Sequence, residues 1–101
     1  MAALAAVILL ISSGCASSQT ATGKKHTTAL VTKSTTSAFW HSVKAGAGAA
    51  AAEYNLDFTF EGPEKEEDYE TQNRMIREAV ERGAEALVIS AVDYNANAEA
   101  V

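Results

Sequence analysis

The sequence predicts an α/β fold, the opening of a doubly wound parallel sheet in the order 2-1-3. Three observations predict it. Short β-rich runs alternate with helical spacing in the order β-α-β-α-β, followed by the start of a further helix. The second β run alternates apolar and polar residues, as an edge strand does. The third is apolar throughout, as a strand covered on both faces is, which favours the order 2-1-3 over 3-2-1. Crossovers between parallel strands in one sheet are right-handed in nearly every case, so the alternation leads to a doubly wound sheet.

Ala29-Leu30-Val31-Thr32 is the first strand, and Lys33 to Ala38 (KSTTSA) is the turn that leaves it. Phe39 to Glu53 then follows helical spacing, with Phe39, Val43, Ala47, Ala50 and Tyr54 recurring every three or four residues. Ala45, Gly46, Ala47 and Ala49 to Ala52 make this helix small-sided, which suits close packing on a sheet. In the second strand Leu56, Phe58 and Phe60 alternate with Asp57, Thr59 and Glu61, and Gly62-Pro63 stops it. Glu64 to Asp68 is an acidic lead-in that favours a helix N-terminus through the macrodipole. The second helix carries Tyr69, Gln72, Asn73, Ile76, Ala79 and Val80 on one face. Gly83 is placed to end it in the left-handed conformation. Ala86-Leu87-Val88-Ile89 is the third strand, 93–97 is a turn, and a third helix starts near Ala96.

The region before the sheet reads differently. Ala2 to Ile11 is an uninterrupted apolar run of ten residues, too short for the ~20 that span a bilayer. It has the length of the apolar core of a signal peptide. Ser12, Ser13 and Gly14 follow, then Cys15, the one cysteine of the chain, so no intrachain disulfide forms. This stretch resembles the lipobox of bacterial lipoproteins, in which the cysteine carries a diacylglycerol and cleavage falls just before it. Ser13 and Gly14 fit that pattern. Ser12 stands where the family prefers Leu, and no Lys or Arg precedes the apolar run. The expected layout is a signal peptide over 1–14, a lipidated Cys15 with a flexible tether over 15–25, and a folded region over 26–101.

Charge narrows the partners. Residues 1–52 hold four Lys and no acidic residue, while 53–101 hold four basic and thirteen acidic residues, so the halves carry +4 and −9 of the total −5. No basic stripe long enough to follow a phosphate backbone exists, so nucleic acid is not expected as a partner. The acidity is read as the solvated side of a helix and its approach loop. His26 and His41 stand alone, with no Cys or carboxylate at ligand spacing, so no metal is expected. Gly46-Ala47-Gly48-Ala49-Ala50-Ala51 matches GxGxxA in letters only. It falls inside a helical pattern rather than between a strand and a helix start, and is read as helix packing. No GxSxG, phosphate loop or nucleophile–base pair is present, so no catalytic residue is assigned, no cofactor is expected, and the chain is read as not an enzyme.

In a 2-1-3 order the chain changes direction across the sheet between the first and third strands, and ligands bind outside the carboxyl ends of the strands at that point. Two loops flank it: 33–39 and 91–96. Several residues on or beside these loops are candidates for ligand binding. Phe39 and Trp40 present flat apolar rings, which stack on the C–H faces of a sugar; the other reading makes Phe39 core and Trp40 a half-buried surface ring. Asp93 follows the third strand, and a carboxylate accepts two hydroxyl hydrogen bonds; an Asx-turn or N-cap accounts for the same position. Ser34 to Ser37 offer hydroxyls and amides, or plain turn chemistry. Lys33 is read as solvated, or as a partner of Asp93 or of a ligand carboxylate.

From Leu30 to Val101 the chain resembles the periplasmic sugar-binding family of ABC importers that includes ribose-binding protein. The resemblance is carried by STTSAFW (34–40), GAGAAAAEYNL (46–56) and QNRMIREAVERGAEALVISAVD (72–93). It implies half of the N-terminal lobe of a two-lobed protein, with ligand held between lobes. It implies an extracytoplasmic protein that captures a sugar and passes it to membrane permease subunits; with the lipobox-like stretch at Cys15, the expected place is the periplasm or the outer face of the cell membrane, lipid-anchored. A ligand-sensing lipoprotein of the same fold is the alternative. By position, the resemblance makes Phe39 and Trp40 the pair that sandwiches the sugar ring, Ser37 the polar residue before it, and Asp93 the hydroxyl-binding carboxylate. Ala38 and Ala91 stand where the family often has Pro, and Ser37 where it often has Asn.

Overall fold

The computed structural model describes residues 23–101. The expected signal peptide, Cys15 and the tether up to residue 22 lie outside the described residues. Gly23 to Lys25 are exposed and carry no regular structure.

Three parallel strands form one sheet in the order β2-β1-β3, as the sequence predicts. Strand β1 (His26–Val31) pairs with β2 (Leu56–Glu61) on one side, from His26 opposite Leu56 to Val31 opposite Glu61. On the other side it pairs with β3 (Ala86–Ile89), from Thr28 opposite Ala86 to Val31 opposite Ile89. Strand β1 begins three residues before the expected start. Its opening is tied down instead by Glu85, whose Oε2 accepts from the Thr27 amide at 2.9 Å, while Thr27 Oγ1 donates to Gly83 O at 2.8 Å.

Helix α1 (Ala38–Glu53) covers one face of the sheet. Ala47, Ala50 and Ala51 lie with Leu30, Leu56, Phe58 and Val88 around a wholly apolar gap. Helix α2 (Tyr69–Glu81) covers the other, where Ala79 meets the Ala29 and Thr59 side. Alternation along β1 sends Leu30 to α1, and Ala29 and Val31 to α2. The core centres on Val31, Ile76, Ala79 and Ala29, all nearly or fully buried.

Two expectations need correction. The inner side of α1 is set by Trp40, Val43, Ala47 and Ala51, not by Phe39 and Tyr54, which are 65% and 70% exposed. Alanine and glycine all round the helix make its apolar phase weak, so a rotation of one residue costs the pattern little. Strand β3 is not buried on both faces: Val88 is 53% exposed, because α1 lies over the β1–β2 side of its face.

Helix α2 starts after the acidic lead-in and stops at Gly83, as the sequence indicates. Asp68 caps α2 by accepting from the Thr71 amide at 3.0 Å. That amide is the main reason its carboxyl sits below the usual carboxylate range. Gly83, at φ +90°, closes α2 with Gly83 N–H to Val80 O at 2.9 Å and Ala84 N–H to Ala79 O at 3.0 Å, the two bonds of a Schellman end. Asn55, at φ 54°, does the corresponding work after α1. The third helix is a 3₁₀ segment, η1 (Ala96–Ala100).

Candidate functional site

The carboxyl ends of β1 and β3 lie side by side, since Val31 is paired with Ile89 at the last register position. What fixes the two segments leaving them is Gln72. Its side chain is fully buried. Nε2 donates to Thr32 O at 2.8 Å and to Ser90 O at 2.9 Å, and Oε1 accepts the Val92 amide at 2.8 Å. One amide thus satisfies three main-chain groups on two strand exits. A buried amide is tolerated where its hydrogen bonds are met, and here they are.

Asn73, the next residue, works on the second exit alone. Its Nδ2 donates to Ala96 O at 2.8 Å and its Oδ1 accepts from Asn97 Nδ2 at 2.6 Å. Asn97 Oδ1 accepts the Asp93 amide at 2.8 Å. The loop carrying Asp93 is therefore held from below by a buried Asn pair. Asp93 itself is exposed. Its Oδ1 accepts the amides of Asn95 and Ala96 at 2.9 and 2.7 Å, which is the Asx-turn weighed from the sequence. Its Oδ2 has no hydrogen-bond partner among the described residues.

The first exit is braced from β2. Thr32 is buried and donates Oγ1 to Ser34 O at 2.7 Å. Ser34, also buried, donates Oγ to Glu64 O at 3.1 Å and accepts the Thr36 amide at 3.3 Å. Gly62 lies against this turn so closely that a Cβ there would sit 2.8 Å from Thr32 Oγ1 and 3.0 Å from Thr32 O. Only glycine fits without a backbone shift.

Ser37 is the N-cap of α1, its Oγ accepting the Trp40 amide at 3.4 Å. Turn and cap chemistry thus accounts for the hydroxyls of Ser34 and Ser37. Phe39 and Trp40 part company. Trp40 is 7% exposed, and its indole Nε1 donates to Glu66 Oε1 at 2.8 Å. Phe39 stands out from the helix start, edge-on to Trp40 with ring centroids 4.8 Å apart and planes at 80°. Lys33 makes no ion pair with Asp93 among the described residues.

Ser37, Phe39, Trp40 and Asp93 therefore sit on two adjacent strand exits at one end of the sheet. A hollow of about 460 Å³ opens beside the second exit, lined by Ile89, Ala91, Tyr94, Asn95, Asn97, Ala98 and Val101. None of the four candidates lines it. Sequence reasoning did not assign the residues that hold the site: Gln72, Asn73, Asn97 and Glu66. The available signal was two adjacent amides on the same helix face as Ile76 and Ala79, where an unpaired polar group is costly.

The sequence profile of the periplasmic binding protein domain matches residues 28–101. Among solved structures the chain is similar to a sugar transporter from Clostridium phytofermentans, at 36% identity over 75% of this chain and 29% of that one, with a TM-score of 0.72. It is similar to an ABC transporter solute binding protein from Agrobacterium vitis with bound D-fucose, at 32% identity over 73% of this chain and 26% of that one, TM-score 0.70. A periplasmic solute binding protein of an ABC transporter from Actinobacillus succinogenes with bound D-allose, at 22% identity over 75% of this chain and 27% of that one, shares the fold with a TM-score of 0.71. The chain spans under a third of the length of each of these proteins. No curated protein matches it.

Proposed function

The chain belongs to the periplasmic binding protein domain family, and from that premise we propose that it supplies one wall of a sugar-binding cleft in an extracytoplasmic solute-binding protein of an ABC importer. Its work is capture and release, not catalysis. The observation that carries this reading is the Gln72 amide, which fixes the exits of β1 and β3 next to each other. Phe39 and Asp93 are thereby presented at one end of the sheet, where a doubly wound fold takes its ligand.

In this reading Phe39 offers an exposed ring to the C–H face of a pyranose. Asp93 Oδ2 accepts hydroxyl hydrogen bonds, which are stronger to a carboxylate than to a neutral group. Ser37 and Trp40 support the ring from behind: one starts the helix that carries it, the other packs against its edge. The sugar passes to the membrane subunits of a permease. Cys15 carries the diacylglycerol that keeps the protein at the membrane, with the residues after it as the tether.

The test is calorimetric titration of the protein with free monosaccharides, D-fucose and D-allose among them, for wild type, Asp93→Asn and Asp93→Ala. Asparagine keeps the oxygen that builds the Asx-turn and loses the charge. We expect Asp93→Asn to bind about tenfold more weakly, since a charge-assisted bond exceeds a neutral one by roughly 1.4 kcal/mol. Asp93→Ala should bind below detection. Equal affinity in all three removes Asp93 from the site. For the anchor, Cys15→Ser should move the protein from the membrane fraction to the soluble one, and unchanged partitioning refutes lipidation.

A further inference from the structure

The loop between β2 and α2 holds four glutamates or aspartates in five residues, Glu64 to Asp68. Two have side chains with assigned work: Asp68 caps α2, and Glu66 reaches back to the start of α1. There it accepts the indole N–H of Trp40 at 2.8 Å. Trp40 is almost fully buried, and its partner comes from 26 residues further along the chain. A buried indole N–H without an acceptor would be costly, so this bond selects one orientation of the ring.

That orientation has a consequence for Phe39. The two rings meet edge to face, 4.8 Å between centroids and 80° between planes, the geometry favoured by the aromatic quadrupole. Phe39 is 65% exposed, and the Trp40 ring is its aromatic contact. The same loop also braces the turn before α1, through Glu64 O accepting from Ser34 Oγ at 3.1 Å. A ring that must stack on a sugar binds better when it is already in place, because less freedom is lost on binding.

We propose that Glu66 is a positioning residue of the sugar site: by accepting the Trp40 indole N–H it locks that ring, and the locked ring sets Phe39 as the stacking platform. The inference rests on the sugar-cleft reading above for its ligand, but not for its geometry. It divides the aromatic pair by role. Phe39 meets the ligand, and Trp40 is the buried strut between Phe39 and Glu66.

Trp40 is the one tryptophan of the chain, so tryptophan fluorescence reports the surroundings of this ring and of no other. The experiment compares wild type, Glu66→Gln and Glu66→Leu, and repeats Glu66→Leu in a Trp40→Phe background for binding. Emission and acrylamide quenching are read without sugar, and affinity is read by titration with the free monosaccharide panel. Glu66→Leu should shift Trp40 emission to the red, raise its quenching and weaken sugar binding roughly tenfold. Glu66→Gln keeps an acceptor oxygen and should recover most of both. In Trp40→Phe, which has no indole N–H, Glu66→Leu should change affinity by less than about twofold, since the coupling acts through that bond. Emission and quenching unchanged in Glu66→Leu overturn the proposal, whatever the protein binds. So does a red shift with undiminished sugar affinity. A wild type that binds no sugar of the panel, with the emission shift intact, overturns the sugar reading and with it the positioning role, while the Glu66–Trp40 contact stands.

Discussion

Replacing Gln72 by leucine tests the idea that one buried amide holds the two strand exits together. Leucine is close to glutamine in volume, so the substitution opens little cavity and isolates the hydrogen bonds. Three main-chain groups lose their partner: Thr32 O, Ser90 O and the Val92 N–H. Thr32 is fully buried, so its carbonyl is left dry and costs about 2 kcal/mol. Ser90 and Val92 are half-buried, and water reaching them limits the loss to about 1 kcal/mol each. Better burial of leucine returns about 1 kcal/mol. The expected net destabilisation is therefore about 3 kcal/mol, a large share of the roughly 5–15 kcal/mol that keeps a domain folded. Urea unfolding of the protein measures it directly. Gln72→Glu is the stricter variant, because a carboxylate still accepts from Val92 but has no N–H for Thr32 O and Ser90 O. It should be at least as unstable as Gln72→Leu at neutral pH and recover partly on acidification, when the protonated acid donates again. A Gln72→Leu protein within about 0.5 kcal/mol of wild type, the range of a neutral surface change, would refute the clamp.

Two further outcomes follow from the same structure. Gly83→Ala forces a Cβ into φ +90° at the end of α2 and should cost about 1 kcal/mol in thermal or urea unfolding; unchanged stability would remove the left-handed requirement at this position. For pH, the Asp68 carboxyl is held below the usual carboxylate range by the Thr71 amide, and the Glu85 carboxyl by the Thr27 amide and His26. Both are depressed in the folded state, so both stabilise it above the ordinary carboxylate pKa and lose that contribution as pH falls through the folded values. Stability should decline in the acid range, and the decline should be shallower in Asp68→Asn, which keeps a cap acceptor but does not titrate; identical acid profiles would remove Asp68 as a cause.

The order of elements, the parallel sheet and its 2-1-3 arrangement were legible in the chain itself. They follow from local periodicity and from the one-sided alternation of 56–61, which depend on nearest neighbours along the chain. Gly83 as a helix end was legible for the same reason: its requirement is a backbone angle, set locally. The phase of α1 was not, because a helix of alanine and glycine carries little difference between its sides, and its inward side is seen only in the burial of Trp40 and Ala51. The roles of Phe39 and Trp40 were equally hidden. Adjacent aromatics look alike in sequence, and what separates them is a carboxylate 26 residues away that reaches one ring and not the other. Gln72 read as one of two adjacent amides on an otherwise apolar helix face. Its meaning comes from three main-chain groups that the sheet brings within hydrogen-bond reach. The sequence by itself determined what its local rules determine: the elements, their order and the stop of α2 at Gly83. Which side chains lie at the strand exits, and which hold the others in place, was decided only when folding brought distant residues together, because a hydrogen bond depends on separation in space and not along the chain.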